Sequence, residues 1–314
     1  MKLKALSHYS TDTTTRYGDC VLLFSENSLI VYDCGHEKHA SAVESFLLSH
    51  ISLTCVDIVV SHNDSDHTSG VCALMEWLSE RDYTVRVFTH QYLKHTDLIE
   101  EKVNDGRRKH DAIQKALLEE FDRIKQIIES AQDLGFEALE AISGTTVGNG
   151  MIVGPTVDEF TDVAAQAIDN RLGDMIGEGN ASETVMNAAS VQLKCMLDDG
   201  SNALLCGDAT PDYLKNLNSY HLIQLPHHGQ LDDAKAIFEK LYDPYSKSFL
   251  VSDNTGSSST SGGSDDLRKY MNKEMYKPAY NTRDGVVDLP VSCSGGFRSN
   301  PQGVRLSGLD YQQR

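Results

Sequence analysis

The apolar positions of this chain fall into short continuous runs separated by longer stretches with helical spacing. Cys20-Val21-Leu22-Leu23-Phe24 and Ser28-Leu29-Ile30-Val31-Tyr32, joined by Ser25-Glu26-Asn27, predict a hairpin. Thr54 to Val60 and Thr84 to Thr89 are apolar, β-branched runs that predict buried strands, with helices over 39–50 and Val71 to Glu80. A second series begins at Gly148 with a turn, a short strand and a helix near 157–169. Strands Val191–Leu197 and Ala203–Cys206 flank the turn Asp199-Gly200-Ser201-Asn202, followed by strands at Leu222–Leu225 and Ser248–Ser252 and a helix at Asp265–Lys273. Between the series, Ile113, Leu117, Phe121, Ile124, Ile128 and Ala131 recur every three or four residues, which predicts one long amphipathic helix. The chain thus reads as two β-rich halves, 1–90 and 148–290, with a helical insertion at about 93–142. We expect a single domain over residues 1–314, mixed α/β (α+β), with two sheets packed face to face under helices.

Composition narrows this picture. The 314 residues are 40% hydrophobic and 24% charged, the balance of an ordinary globular chain able to bury a large core. Met1 to Leu6 has no apolar core of signal-peptide length, and no apolar run reaches the roughly 18 residues of a membrane span. Seven scattered cysteines without a C-x-x-C pair predict reduced, buried thiols, and with them a cytoplasmic setting. The net charge of −18 argues against a sequence-specific DNA-binding module, since such a surface repels a polyanion unless cations gather locally. Lys94, Lys102, Arg107, Arg108, Lys109 and His110, before or at the start of the insert's main helix, read as a solvated charged face, with a basic wall beside the site as the alternative. Residues 173–185 and 254–264 read as flexible loops.

Candidate chemistry gathers at strand ends. Ser61-His62-Asn63-Asp64-Ser65-Asp66-His67 follows a buried strand and offers four metal donors, His62, Asp64, Asp66 and His67, within six residues. Imidazole and carboxylate together suit zinc, manganese or iron better than calcium. Gly207-Asp208-Ala209 closes the 203–206 strand, and Pro226-His227-His228-Gly229 closes the 222–225 strand. Because side chains alternate at a strand end, one of His227 and His228 should face the metals and the other the substrate. Chain order favours His228 as ligand and His227 as the substrate-side residue; the sequence leaves the reverse open. His36 and His39 read as surface residues near the site, and His90 as a bystander or support.

The spacing His-x-Asp-x-Asp-His resembles the signature of the metallo-β-lactamase superfamily, in the variant found in ComEC-type hydrolase domains. Asp33-Cys34-Gly35, the order Asn187-x-x-Ser190, strand, turn, strand, Gly207-Asp208-Ala209, and Pro226-His227-His228-Gly229 are similar to further motifs of that family. The closing run Tyr280 to Leu289 is similar too. The resemblance implies an αββα sandwich, Asp33 supporting the metal loop by hydrogen bonds, and Asp208 bridging two metals. It implies metal ligands His62, Asp64, Asp66, His67, Asp208 and His228, with Asp66 and His227 catalytic. A typical member would place a histidine ligand near Asn187, so this chain departs from the pattern at the first metal position.

The expected function is a metal-dependent hydrolase with two divalent ions, Zn2+ or Mn2+. The expected substrate is nucleic acid or another phosphodiester, with a soluble protein partner an option and no membrane. Two alternatives stand beside it: a small-ester hydrolase of phosphocholine esterase or lactonase type, and a metal-binding partner protein without activity.

Overall fold

A computed structural model describes residues 1–6, 18–103, 110–174, 182–253 and 264–291. The first half contributes strands β1 (Lys2–Ala5), β2 (Val21–Ser25), β3 (Ser28–Tyr32), β4 (Cys55–Val59), β5 (Thr84–Thr89) and β6 (Glu137–Glu140). The second contributes β7 (Thr146–Val147), β8 (Gly150–Gly154), β9 (Gln192–Met196), β10 (Asn202–Leu205), β11 (Leu222–Gln224), β12 (Ser248–Val251) and β13 (Tyr280–Asn281). A last strand, β14 (Val287–Leu289), returns to pair antiparallel with β1. The result is two seven-stranded sheets, ordered β14-β1-β2-β3-β4-β5-β6 and β13-β12-β11-β10-β9-β8-β7. Each runs antiparallel through its hairpins and then parallel, from β3 to β6 and from β10 to β13.

The continuous apolar runs are explained by burial on both faces. Along β2 and β3, Val21, Leu23, Ile30 and Tyr32 point into the layer between the sheets, where they meet Ile152, Leu193, Leu205 and Leu250. The alternate residues Leu22, Leu29 and Val31 point outward and pack under helices through Val43, Leu74, Ile124 and Phe160. The second sheet does the same with Leu204, Ile223 and Phe249, covered by Ile237, Phe238 and Leu267. The layers are therefore helix, sheet, sheet, helix, the αββα sandwich. Tyr32 ties the two sheets, its hydroxyl donating to the Val191 carbonyl at 2.5 Å.

The insert departs from expectation in one respect. In place of one long helix there are two, His110–Glu120 and Asp122–Asp133, preceded by Thr96–Val103. Phe121 leaves helical geometry at φ −101° and ψ 22°, its ring stacked on Tyr92 at 4.7 Å and edge-on to Phe160 at 5.8 Å. The break exposes the Glu120 carbonyl, which accepts from Asn63 Nδ2 at 2.8 Å and so fastens the insert to the loop carrying His62 and His67. The insert also supplies β6, the edge strand of the first sheet. Part of the loop expected over 173–185 is helical, Ser182–Asn187, so Asn187 ends a helix rather than opening a strand. Residues 175–181, nearly all of the 254–264 loop and the C-terminal tail lie outside the described residues.

The six described cysteines are all free, as expected; Cys293 lies outside the described residues. Among the described residues no helix is long and apolar enough to cross a membrane.

Truncating Ile30, fully buried between the sheets, opens a cavity that strands held on both faces cannot collapse into. Ile30→Ala is expected to cost about 2–5 kcal/mol in urea unfolding. A loss below about 1 kcal/mol would mean the layer between the sheets is not the packed core described.

Candidate metal centre

The C-terminal ends of the parallel strands from both sheets converge on one buried point. β3 ends at Asp33, β4 runs into Ser61–His67, β10 into Asp208, and β11 into His227 and His228. Asp33 is fully buried and holds the β4 loop. Its Oδ1 accepts from the Ser61 amide at 2.7 Å, and its Oδ2 accepts from Ser61 Oγ at 2.7 Å and His67 Nδ1 at 2.8 Å. The bond to Nδ1 leaves His67 Nε2 facing the cluster. Gly35 is required by close approach: a Cβ there would lie 1.6 Å from the Asp66 carbonyl oxygen.

Two overlapping groups of donors could each hold a metal ion: His62, His67 and Asp208, and Asp19, His67 and His228. Asp208 is 5% exposed and its two oxygens face different imidazoles. Oδ2 lies 4.0 Å from His62 Nε2, and Oδ1 lies 3.6 Å from His67 Nε2. Asp64 Oδ2 is 3.6 Å from His62 Nε2. These gaps are too long for hydrogen bonds, and both Nε2 atoms are buried with no partner. Buried nitrogens facing carboxylate oxygens at such spacing fit a shared divalent cation.

Electrostatics support the same reading. Burial alone would push His67 down and Asp208 up, yet their mutual attraction, with Asp33 and Asp66 around His67, shifts both strongly the other way. His228 likewise rises despite burial, because Asp19, Asp66 and Asp208 surround it, and Asp66 falls through His67 and His228. A negative field that favours imidazolium also favours a divalent cation.

His227 and His228 do not alternate as strand residues. Both adopt left-handed backbone, at φ 50° and 53°, in a tight turn after β11, so the alternation argument does not apply to them. The turn still separates the rings. His228 is buried, with Nδ1 on the Ser252 carbonyl at 2.8 Å and Nε2 at 3.0 Å from Asp66 Oδ2. Asp66 thus meets the cluster through His228. His227 keeps its Nδ1 on Asp233 Oδ2 at 2.7 Å, while its Nε2 has no partner. Burial would lower its pKa, but Asp233 and Asp208 raise it.

Asp19 escaped the sequence reading. It is 2% exposed, with Oδ2 accepting from Gln224 Nε2 at 2.7 Å. Its Oδ1 stands 3.2 Å from His228 Nδ1, whose hydrogen is directed to Ser252, so Asp19 contributes charge there rather than a hydrogen bond. It lies between Gly18 and the start of β2, with no spacing to mark it. His39 is buried, not on the surface, because the helix Glu37–Ser49 turns it inward. His36 caps that helix, its Nδ1 accepting from the Lys38 amide. His90 is buried against Phe160, and burial, then proximity to His62, lowers its pKa to about 4.

A groove of about 360 Å³ opens beside Asp64 and Asp66. Its far wall is Glu119, Glu120, Asp122, Arg123 and Arg171, and Arg171 is committed to Glu119 and Glu120 at 3.1 Å each. The insert's wall is therefore mainly acidic, not basic. Lys94 faces Glu140, and Lys102 is bound by Asp158 and Asp162, neither beside the groove. Arg107, Arg108 and Lys109 lie outside the described residues.

The described residues form a four-layer αββα sandwich with a donor cluster at its strand ends. Solved structures of metallo-β-lactamase fold proteins are similar to this chain. YhfI, a metallo-β-lactamase fold protein from Bacillus subtilis, is 14% identical, covering 89% of this chain and 95% of that one, with a TM-score of 0.44. Human tRNase Z, short form, is 12% identical over 75% of this chain and 80% of its own, with a TM-score of 0.39. A metallo-β-lactamase from Thermotoga maritima is 11% identical over 66% and 76%, with a TM-score of 0.34. No family model matches the sequence, and neither does any curated protein. Likeness this distant transfers no substrate, so the chemistry is taken from the site's own residues.

Replacing Asp33 tests the support of the β4 loop. Asp33→Ala removes the shared acceptor of three buried donors and is expected to cost about 3–5 kcal/mol in chemical unfolding. Bound metal, measured by elemental analysis, should fall with it. Wild-type stability and metal content in this variant would remove Asp33 from its supporting role.

Proposed function

We propose that this chain is a metal-dependent hydrolase acting on phosphodiesters at a two-metal centre. One observation carries the reading: Asp208 turns one oxygen toward His62 and the other toward His67, so a single carboxylate could serve two ions. His62, Asp64 and Asp208 would hold one ion, and Asp66, His67, His228 and Asp208 the other. Zn2+ or Mn2+ both suit a set of imidazoles and carboxylates. When bound, such a pair supplies hydroxide at neutral pH and stabilises charge on phosphoryl oxygens.

The remaining work falls to side chains. His227 keeps a buried Nε2 without a hydrogen-bond partner, and Asp233 on its Nδ1 fixes the ring and favours its protonated form. That arrangement suits donating a proton to a leaving oxygen or steadying a phosphoryl oxygen. Asp66 orients His228 through the 3.0 Å contact and carries charge into the centre.

The acidic groove favours a second reading within the same chemistry. Its wall of Glu119, Glu120 and Asp122 repels a long polyanion and accepts a cationic or hydroxyl-bearing group. That points to a compact ester, of phosphocholine ester or lactone type, rather than nucleic acid.

Purified protein should carry divalent metal and hydrolyse bis(p-nitrophenyl) phosphate with added Mn2+ or Zn2+. Asp208→Ala should lose both metal and turnover. His227→Ala should keep its metal and lose roughly 10²–10⁴-fold in kcat, while His228→Ala should lose metal. Parallel assays on single-stranded DNA and p-nitrophenylphosphorylcholine separate the two substrate readings. Asp208→Ala hydrolysing at the wild-type rate would sink the two-metal assignment.

A further inference from the structure

The side chain of Asn187, 6% exposed, lies against the donor cluster and is only half satisfied. Its Nδ2 donates to Asp64 Oδ2 at 3.2 Å, while its Oδ1 is buried with no hydrogen-bond partner. Turning the carboxamide over would press its oxygen against the Asp64 carboxylate, so the neighbour fixes which end is which. The residue is also pinned through its backbone. Its carbonyl accepts from Ser190 N at 2.9 Å and Ser190 Oγ at 2.8 Å, and that same Oγ accepts from the Asp208 amide at 3.3 Å. Asn187 thus spans Asp64 and the start of the Asp208 loop, the two carboxylates that flank His62. A buried amide oxygen left without a donor destabilises the fold unless something electropositive meets it.

We propose that Asn187 Oδ1 is a neutral oxygen donor to the ion held by His62, Asp64 and Asp208, and that this makes the two metal positions unlike. The inference rests on the two-metal reading above. The His62 position then has one imidazole against three oxygen donors from Asp64, Asp208 and Asn187. The other position has the imidazoles of His67 and His228 with the carboxylates of Asp66 and Asp208. Oxygen-rich sets suit harder ions such as Mn2+ or Mg2+, and imidazole-rich sets suit Zn2+. An amide oxygen also carries no charge, so it holds an ion less firmly than a carboxylate. The His62 position is the weaker one, prefers Mn2+, and fills according to how much of that ion is present, whereas the His67–His228 position keeps its ion.

Calorimetric titration of metal-stripped full-length protein with Mn2+ and with Zn2+, checked by elemental analysis, tests this directly. The wild type should show a tight class and a weak class of sites, with the weak class favouring Mn2+ by tenfold or more relative to the tight class. Asn187→Ala should weaken the weak class at least tenfold and leave the tight class unchanged. Asn187→His restores a donor of the other kind and should shift the weak class toward Zn2+. It distinguishes donation from mere positioning of Asp64. Wild-type titrations in both variants, with two ions still bound and turnover intact, would overturn the donor role while leaving the hydrolase reading standing. A wild type that binds no ion at all would overturn both.

Discussion

A single buried carboxylate organises this molecule's chemistry. Asp33 ends β3 in left-handed backbone, at φ 59°, and spends its oxygens on Ser61 and His67 from the neighbouring strand's loop. It therefore fixes where β4 stops being a strand and which nitrogen of His67 faces inward. Ser61 Oγ also lies 2.9 Å from His62 Nδ1, so both imidazoles of the loop are indexed to the same anchor. Without that anchor the loop's four donors would be a mobile polar turn. With it, two of them are buried imidazoles whose Nε2 atoms face carboxylates without a hydrogen-bond partner.

The two sheets make this possible by bringing unlike strand ends together. Asp33 and His62 come from the first sheet, Asp208 and His228 from the second, and the layer between the sheets is apolar and buried. Carboxylates crowded this closely destabilise one another in a low-dielectric setting. The fold tolerates them because imidazoles lie between, and a divalent ion would offset the same repulsion more fully. On the two-metal reading, stability and metal affinity are two expressions of one charge arrangement, and a variant at the cluster would move both.

The strands were legible because burial on both faces forces near-continuous apolar runs, and 21–24, 28–32, 55–59 and 84–89 have them. The cluster from His62 to His67 and the later Asp208 and His228 were legible because each stands just after such a run. What was missed depends on contacts between distant segments. Asp19 takes its meaning from Gln224 and His228, far along the chain. The helix break at Phe121 leaves the three-to-four spacing unbroken, and only the rings of Tyr92 and Phe160 account for it. The left-handed pair His227–His228 carries none of the usual glycine or asparagine marking. Sequence leaves Lys94 and Lys102 open between a solvated face and a basic wall, and only their acidic partners Glu140, Asp158 and Asp162, distant along the chain, set them aside from the groove.

The insert has a consequence for substrate that neither the motif nor the fold carries. Its break at Phe121 frees the Glu120 carbonyl for Asn63, so the insert and the metal loop are joined at a point between His62 and Asp64. The same junction places the Glu119, Glu120 and Asp122 side chains across the groove from Asp64 and Asp66. Arg171 is held by Glu119 and Glu120, and with Arg123 as the groove's other cation the carboxylates still outnumber the arginines there. On the proposed reading, a substrate approaching from this side would meet negative charge first and metal second. Discrimination between a polymer and a compact ester would then rest on the insert, and the hydrolytic step on residues the two sheets deliver.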